Sequence, residues 1–336
     1  MAVRTLILGK RHAGQSLAAI VGAELRLSRR EVELFFKNRW IRLGGAVCQQ
    51  PDRRVRAGQR LQIVIPSQKK SPHPPSPGMS PRFPRVESAP ELPAIARAIR
   101  IVHVDEQIVV VDKPAGLTTV RHADEAKQFG ARAKRFLPPT LVDLLPRVAP
   151  ELRRSRLRAV HRLDKETSGL VVLARTPAAE SALGKQFRAH AVERTYLALA
   201  RGQAQDERIE SILVADRGDG RRGSSAEGKG QRAVTHVRLV ESLGAFTLVE
   251  CRLETGRTHQ VRIHLGERGV PLCGEHIYDR PLHGKPLPDD SGAKRPMLHA
   301  ATLALTHPAT GKRIVWECEL PHDMRQLLAH LRRRGG

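Results

Sequence analysis

The sequence predicts an α+β protein whose larger part rests on a mixed, mainly antiparallel central sheet with flanking helices, preceded by a small helix-hairpin domain. Three observations carry this. The chain has 336 residues, 40% of them hydrophobic, which at about 150 residues per domain suggests two domains with a real buried core. Strand-like runs follow one another with only occasional helical patterns between them, the order expected of an α+β chain. The composition also changes along the chain. The first 70 residues carry 15 Lys or Arg against 4 Asp or Glu, and residues 71–93 hold 8 of the 23 prolines. The expected divisions are therefore 1–70, 71–93 and 94–336.

In the first segment, Ser28-Arg29-Arg30-Glu31 has capping-box spacing, and Val32, Phe35 and Phe36 supply an apolar stripe. The helix so defined exposes Arg29, Arg30, Lys37 and Arg39. Ile41 to Val47 reads as a tight hairpin about Gly44-Gly45, and Leu61, Ile63 and Ile65 alternate as a strand. The proline density of 71–93 suits neither a packed helix nor a central strand. It reads as a semi-rigid tether, the alternative being an ordered arm. Beyond it, Ile99–Val104, Val109–Val111, Leu170–Ala174, Tyr196–Ala200, Val234–Val240 and Phe246–Leu253 read as strands. A helix starts at Thr176-Pro177 and carries Leu183, Phe187 and Ala191. A second is expected from Thr258 to Arg268, closed by Gly269.

A formal net charge of +24 repels itself unless a polyanion is near, and so points to nucleic acid. Arginine supplies 45 of the 58 basic residues, and its planar fork suits bidentate contacts to phosphate and bases. Arg-rich coding bias is the alternative source of the excess. Eleven aromatic residues are too few for a base-stacking platform. No apolar run approaches the roughly 18 residues of a spanning helix, and the opening segment is too short in apolar residues for a secretory signal. A soluble, cytoplasmic protein with no membrane partner is expected. Four scattered cysteines without a Cys-x-x-Cys pair indicate neither a disulfide framework nor a zinc ribbon. His259 and His264 lack the His-Glu-x-x-His arrangement, so no metal is expected. Gly218-Asp219-Gly220-Arg221-Arg222-Gly223 matches a dinucleotide fingerprint, but the polar stretch after it is not the helix that would hold a pyrophosphate. No nucleotide or other cofactor is expected.

Two stretches remain that could carry chemistry. In His161-Arg162-Leu163-Asp164-Lys165-Glu166-Thr167-Ser168-Gly169, a carboxylate stands between cations just ahead of a buried-looking strand. It reads either as a cleft carboxylate kept ionised by its neighbours or as a surface ion pair. In Gly256-Arg257-Thr258-His259-Gln260-Val261-Arg262-Ile263-His264, helical spacing sets His259 and Arg262 on one face and Val261 and Leu265 on another. That polar face points either into a site or into solvent.

These stretches, with Lys113-Pro114-Ala115-Gly116-Leu117 before them and Leu298-His299-Ala300 and His307-Pro308 after them, resemble the RluA-type pseudouridine synthases from about Ile99 to Leu331. Residues 14–66 resemble the compact αL-type RNA-binding module first described in a small-subunit ribosomal protein. The resemblance implies isomerisation of uridine in RNA without a cofactor, the target base being flipped out. It makes Asp164 the essential carboxylate, acting as nucleophile on the sugar or as base toward it. Arg262 would pair with Asp164, and Tyr196 would stack on the base and assist proton removal. Arg162 would fill the place of the extruded base, with His161, Thr167, Arg257 and His259 also on the substrate. Large-subunit ribosomal RNA is the first expected substrate and transfer RNA the second, with the enzyme a monomer. A non-catalytic RNA-binding assembly factor of the same fold is the alternative. Arg194 stands where the family usually has Lys, and Gly274-Glu275 replaces Gly-Asp. Residues 121–139 look like an added RNA-contacting loop.

Overall fold

The computed structural model describes residues 2–9, 12–25, 27, 29–38, 40–65, 92–121, 137–225 and 227–335. The chain divides into two compact units, Met1–Ser88 with Arg121–Pro138, and Ala89–Val120 with Pro139–Gly336. The expected tether lies outside the described residues except for Leu92 and Pro93, as does most of the expected loop at 121–139.

The first unit contains β1 (Ala2–Ile7), α1 (Leu17–Leu25), α2 (Arg29–Lys37), β2 (Ile41–Leu43), β3 (Ala46–Val47) and β4 (Arg60–Ile65), with sheet order β1-β4-β2-β3 and every pairing antiparallel. The opening segment, read from sequence only as too short for a signal, is an edge strand on β4. The apolar stripe of α2 is buried as its spacing required: Val32, Phe35 and Phe36 pack with Leu17, Ile20 and Val21 of α1 and with Ile41, Leu61 and Ile63 of the sheet. Lys37 is exposed. Arg39, Ser28 and the side chains of Arg29, Arg30 and Glu31 lie outside the described residues.

The second unit runs through β5 (Arg100–Val104), β6 (Ile108–Lys113), α3 (Leu141–Val148), β7 (Arg158–Ala159), β8 (Ser168–Ala174), α4 (Pro177–Arg188), β9 (Glu193–Arg201), β10 (Glu207–Val214), β11 (Gly223–Ser224), β12 (Gln231–Leu243), β13 (Phe246–Leu253), α5 (Gln260–Glu267), β14 (Leu298–Thr306), β15 (Arg313–Glu317) and α6 (His322–Gly335). One sheet links its strands in the order β11-β10-β12-β13-β9-β14-β8-β6-β5, with β15 on β14 and β7 on β8. Among the described residues only β14 and β8 pair in parallel, so the sheet is mixed and mostly antiparallel, as expected.

Every residue of β8 is buried, the pattern of a strand covered on both faces. Val171 and Leu173 pack with Val109, Val111 and the α3 residues Leu141, Leu144 and Leu145. Leu170, Val172 and Ala174 pack with Ile108, Val110 and the α4 residues Ala179 and Leu183. Alternation along one strand thus feeds two layers, each buried Leu or Val contributing about 1.5–3 kcal/mol.

The six expected strands of this unit all form. Helix α4 has the expected Thr176 cap but stops at Arg188, so Ala191 lies past its end. Helix α5 is shorter than the expected Thr258–Arg268, because His259 is left-handed at φ 60° and serves as its N-cap. Its residues Gln260 to Gly266 are all buried, which removes the reading of a solvated amphipathic helix. Helix α3 is not among the expected elements, although Thr140 and Asp143 form a complete capping box at its start. Strands β10 and β15 and helix α6 are likewise additional to those expected. The Gly218–Gly223 fingerprint is no nucleotide loop. The Asp216 carboxylate accepts the N–H groups of Gly218 and Gly220 at 2.8 and 2.9 Å, and Gly223 opens strand β11 instead of a helix. No helix among the described residues is long and apolar enough to cross a membrane.

Candidate active site

The loop that joins β7 to β8 carries Asp164, and a clamp from the preceding chain holds both of its neighbours. Thr119 Oγ1 donates to the Leu163 carbonyl at 2.9 Å and accepts the Leu163 N–H at 3.2 Å. On the other side, Gly116 N–H and Lys113 Nζ donate to the Lys165 carbonyl at 2.8 and 3.3 Å. Lys113 is fully buried and donates as well to the carbonyls of Pro114 and Leu117. Burial pulls its pKa down to about 7. The Thr167 N–H closes the loop on the Asp164 carbonyl at 3.2 Å. The sequence motif at 113–117 thus builds the seat of the carboxylate, and Thr119, unassigned from sequence, belongs to it.

The seat opens into a cavity of about 450 Å³ lined by Asp164, Tyr196, Arg162, Thr167, Arg257 and His259 among others, a size typical of ligand pockets. Seven of the eight residues assigned to catalysis or substrate therefore meet here, His161 included. Tyr196, in β9, is 8% exposed, and burial raises its pKa. The eighth, Arg262, stands behind the wall and approaches Asp164 only to 4.0 Å through Nη1.

The expected Arg262–Asp164 pair is thus not a hydrogen-bonded one. Arg262 gives Nε and Nη2 to the two oxygens of Glu275, each at 2.7 Å. Glu275 also accepts backbone N–H groups of His276, Ile277 and Tyr278. Burial opposes the charge on both partners, yet their mutual hydrogen bonds and attraction raise the pKa of Arg262 and lower that of Glu275. The Gly-Glu departure noted in the sequence is therefore the anchor of the active-site arginine. The nearer nitrogen to Asp164 is Nε2 of His259, at 3.7 Å. Burial lowers the His259 pKa. The carboxylate favours the neutral tautomer with its proton on Nε2, in which the Tyr278 hydroxyl, 2.7 Å from Nδ1, is the donor. Tyr278 was not singled out from sequence.

His161 faces the cavity with its ring stacked on Phe187, centroids 4.6 Å apart, and its Nε2 accepts the Val172 N–H at 3.0 Å. Burial lowers its pKa to about 3, so it serves as a neutral acceptor. Because the unfolded side chain takes up a proton near 6.5, folding stability should fall as the pH drops from about 6.5 toward about 3. Urea unfolding at pH 7 and pH 5 checks this: the loss should be smaller in His161→Gln, which keeps an acceptor and cannot titrate.

Among the described residues one trio of metal-type donors converges, Asp112, His299 and Cys318, with ligand atoms within 4.8 Å of one another. Both ring nitrogens of His299 are already engaged, Nδ1 with Ser168 Oγ at 2.9 Å and Nε2 with Cys318 Sγ at 3.1 Å. None of the three lines the cavity.

Residues 107–267 match the family described as RNA pseudouridylate synthase. A ribosomal large subunit pseudouridine synthase D from Nitrosomonas europaea is 38% identical over 246 residues, covering 71% of this chain and 67% of that one. A protein of the same name from Neisseria meningitidis serogroup A is 34% identical over 309 residues, 88% of this chain and 74% of its own. The solved structure of human RNA Pseudouridylate Synthase Domain Containing 4 superposes with a TM-score of 0.55 at 27% identity, over 71% of this chain and 94% of that one. A carboxylate seated by its own motif in a cavity with a buried tyrosine, and relatives aligned across that motif, lead to one conclusion: the chain belongs to the RNA pseudouridylate synthase family and is an RNA-modifying isomerase.

Proposed function

We propose that this enzyme converts specific uridines of large-subunit ribosomal RNA to pseudouridine, with Asp164 as the essential carboxylate. The observation that carries the chemistry is Asp164 in a cavity shared with Tyr196 and bordered by Arg162 and Arg257. The names of the relatives support the choice of RNA. In the reaction the bond from uracil N1 to the sugar C1′ breaks, the base turns, C5 bonds to C1′, the C5 proton is lost and N1 gains one. An ionised Asp164 serves whether it attacks C1′ or removes a proton from the sugar. Tyr196 stacks on the flipped base, while Arg162 occupies the stem position that the base vacates and offsets the cost of extrusion, a few kcal/mol.

Mapping pseudouridine in total RNA by carbodiimide-induced stops in reverse transcription tests this in cells with the gene, without it and with Asp164→Asn. Stops at particular large-subunit uridines that vanish without the gene, and that the Asn form does not restore, are expected. Loss confined to transfer RNA would move the substrate, and no change at any uridine would favour a non-catalytic assembly factor.

The basic segment 1–70 acts, in this proposal, as an αL-type module joined through residues 71–93 to a catalytic domain of 94–336. The support is its helix pair and hairpin and its 15 basic residues. Deleting it should weaken binding to a ribosomal RNA fragment and reduce the salt slope by about 2 to 3, each lost phosphate contact being worth about 0.7–0.9. Titrations at several salt concentrations measure both; an unchanged slope would argue against an RNA anchor.

A further inference from the structure

Arg194 lines the cavity as a buried cation, and no carboxylate among the described residues pairs with it. It lies in β9 two residues before Tyr196, so both side chains leave the strand on the same face. It is 8% exposed, its Nε is buried, and that nitrogen has no hydrogen-bond partner. Burial lowers its pKa, the Tyr196 hydroxyl counters this and the neighbouring Arg257 adds to it, and no carboxylate takes part. Its guanidinium carbon lies 5.7 Å from the Phe187 ring centroid, the ring that also stacks on His161. Room for it exists because residue 256 is glycine: a Cβ there would collide with Arg194 Nη1.

A buried guanidinium stays protonated, and keeping it unpaired is unfavourable for the folded state. Such an arrangement suits a negative charge that arrives with the substrate. The phosphates of the RNA have other receptors, because Arg188 is exposed and Arg257 half-buried where they line the same cavity. The group that reaches the depth of Arg194, beside Tyr196, is the flipped base. When the N1–C1′ bond breaks, its electron pair leaves with the uracil and spreads over N1 and the two carbonyl oxygens. The same pair forms the C5–C1′ bond, the C5 proton then passes to solvent and N1 takes one up, so the isomerisation balances without a co-reactant.

We propose that Arg194 donates to a carbonyl oxygen of the flipped uracil and stabilises the uracil anion between cleavage and rejoining. This makes it a catalytic residue, through preorganised charge aimed at the place where charge develops. The assignment rests on the isomerase reading above.

The test uses the full-length enzyme and an RNA stem-loop containing a mapped target uridine, tritiated at C5. Under single-turnover conditions Arg194→Met should release tritium about 10²–10³-fold more slowly, with RNA affinity and salt slope within about twofold of wild type, whereas Arg194→Lys should stay within about tenfold. Arg194→Met should also be at least as stable to urea as wild type, because it removes an unpaired buried charge. A merely structural arginine would give the opposite, a less stable protein. An unchanged rate in Arg194→Met would overturn the proposal. So would a rate recovered at saturating RNA with a smaller salt slope, which would mark a phosphate contact, and so would a variant that unfolds. Wild type that releases no tritium would sink the isomerase reading and this proposal together, whereas an active wild type with an unaffected variant sinks only the second.

Discussion

Asp164→Asn should lower the single-turnover rate of pseudouridine formation by at least about 10³-fold, near the upper range for loss of a positioned acid or base, and leave RNA affinity within a few fold. The amide keeps the shape of the carboxylate, so the clamp on Leu163 and Lys165 has no reason to open; it acts on backbone atoms. What is lost is the negative charge, and with it the capacity to attack C1′ or to take a proton from the sugar. Binding is spared because the carboxylate repels RNA phosphate if it does anything to it. Single-turnover product formation and filter binding on the same RNA separate the two quantities. A variant that turns over like wild type would show that the carboxylate is a structural ion pair, and equal loss of rate and affinity would place it in binding.

The largest expected loss of stability follows Glu275→Ala. Arg262 and Glu275 are 6% and 1% exposed, and the carboxylate is the partner of two guanidinium nitrogens and three backbone N–H groups. Removing it strands a buried cation, a change that costs about 3–5 kcal/mol. Truncating the carboxylate also frees the Tyr278 backbone, and Tyr278 is the hydroxyl partner of His259. Urea unfolding of the whole chain measures the loss; a change below about 1 kcal/mol would mean that water or Asp164 takes over the arginine. Glu275→Gln should fall between, since it keeps an acceptor for the backbone and loses the charge.

The parts of the fold that depend on local pattern were legible in the sequence. The apolar runs of β6 and β8, the Thr-Pro start of α4 and the stripe of Val32, Phe35 and Phe36 each declare themselves within a dozen residues. Helix α5 was legible as a helix but not in its surroundings: its polar residues left open a face toward a site or toward solvent, whereas Gln260 and His264 are satisfied inside by Thr255, Thr235 and Ser211. A buried hydrogen-bond network has no periodicity of its own. The site was legible where a motif held the residue, as at Asp164, and through family resemblance where none did, as at Tyr196. The contacts that build it were not legible. Thr119 and Leu163 are 44 positions apart, Lys113 and Lys165 are 52, and no spacing rule joins them. The Arg262–Glu275 pair spans only 13 positions, but Glu275 stood in the sequence as a departure from a pattern, and its partner was expected to face Asp164.

Strand β8 has one more consequence. Its seven residues are buried throughout, it is hydrogen-bonded to β6, β7 and β14, and it begins four positions after Asp164. Elements with many buried contacts open only with the molecule as a whole. The backbone that carries the carboxylate is therefore tied to the sheet, and displacing that backbone works against the packing of β8. Precision at the reacting atom is in this way a collective property, paid into by every side chain packed on that strand, and substitutions far from the cavity that loosen the sheet would blur catalysis before they abolish the fold.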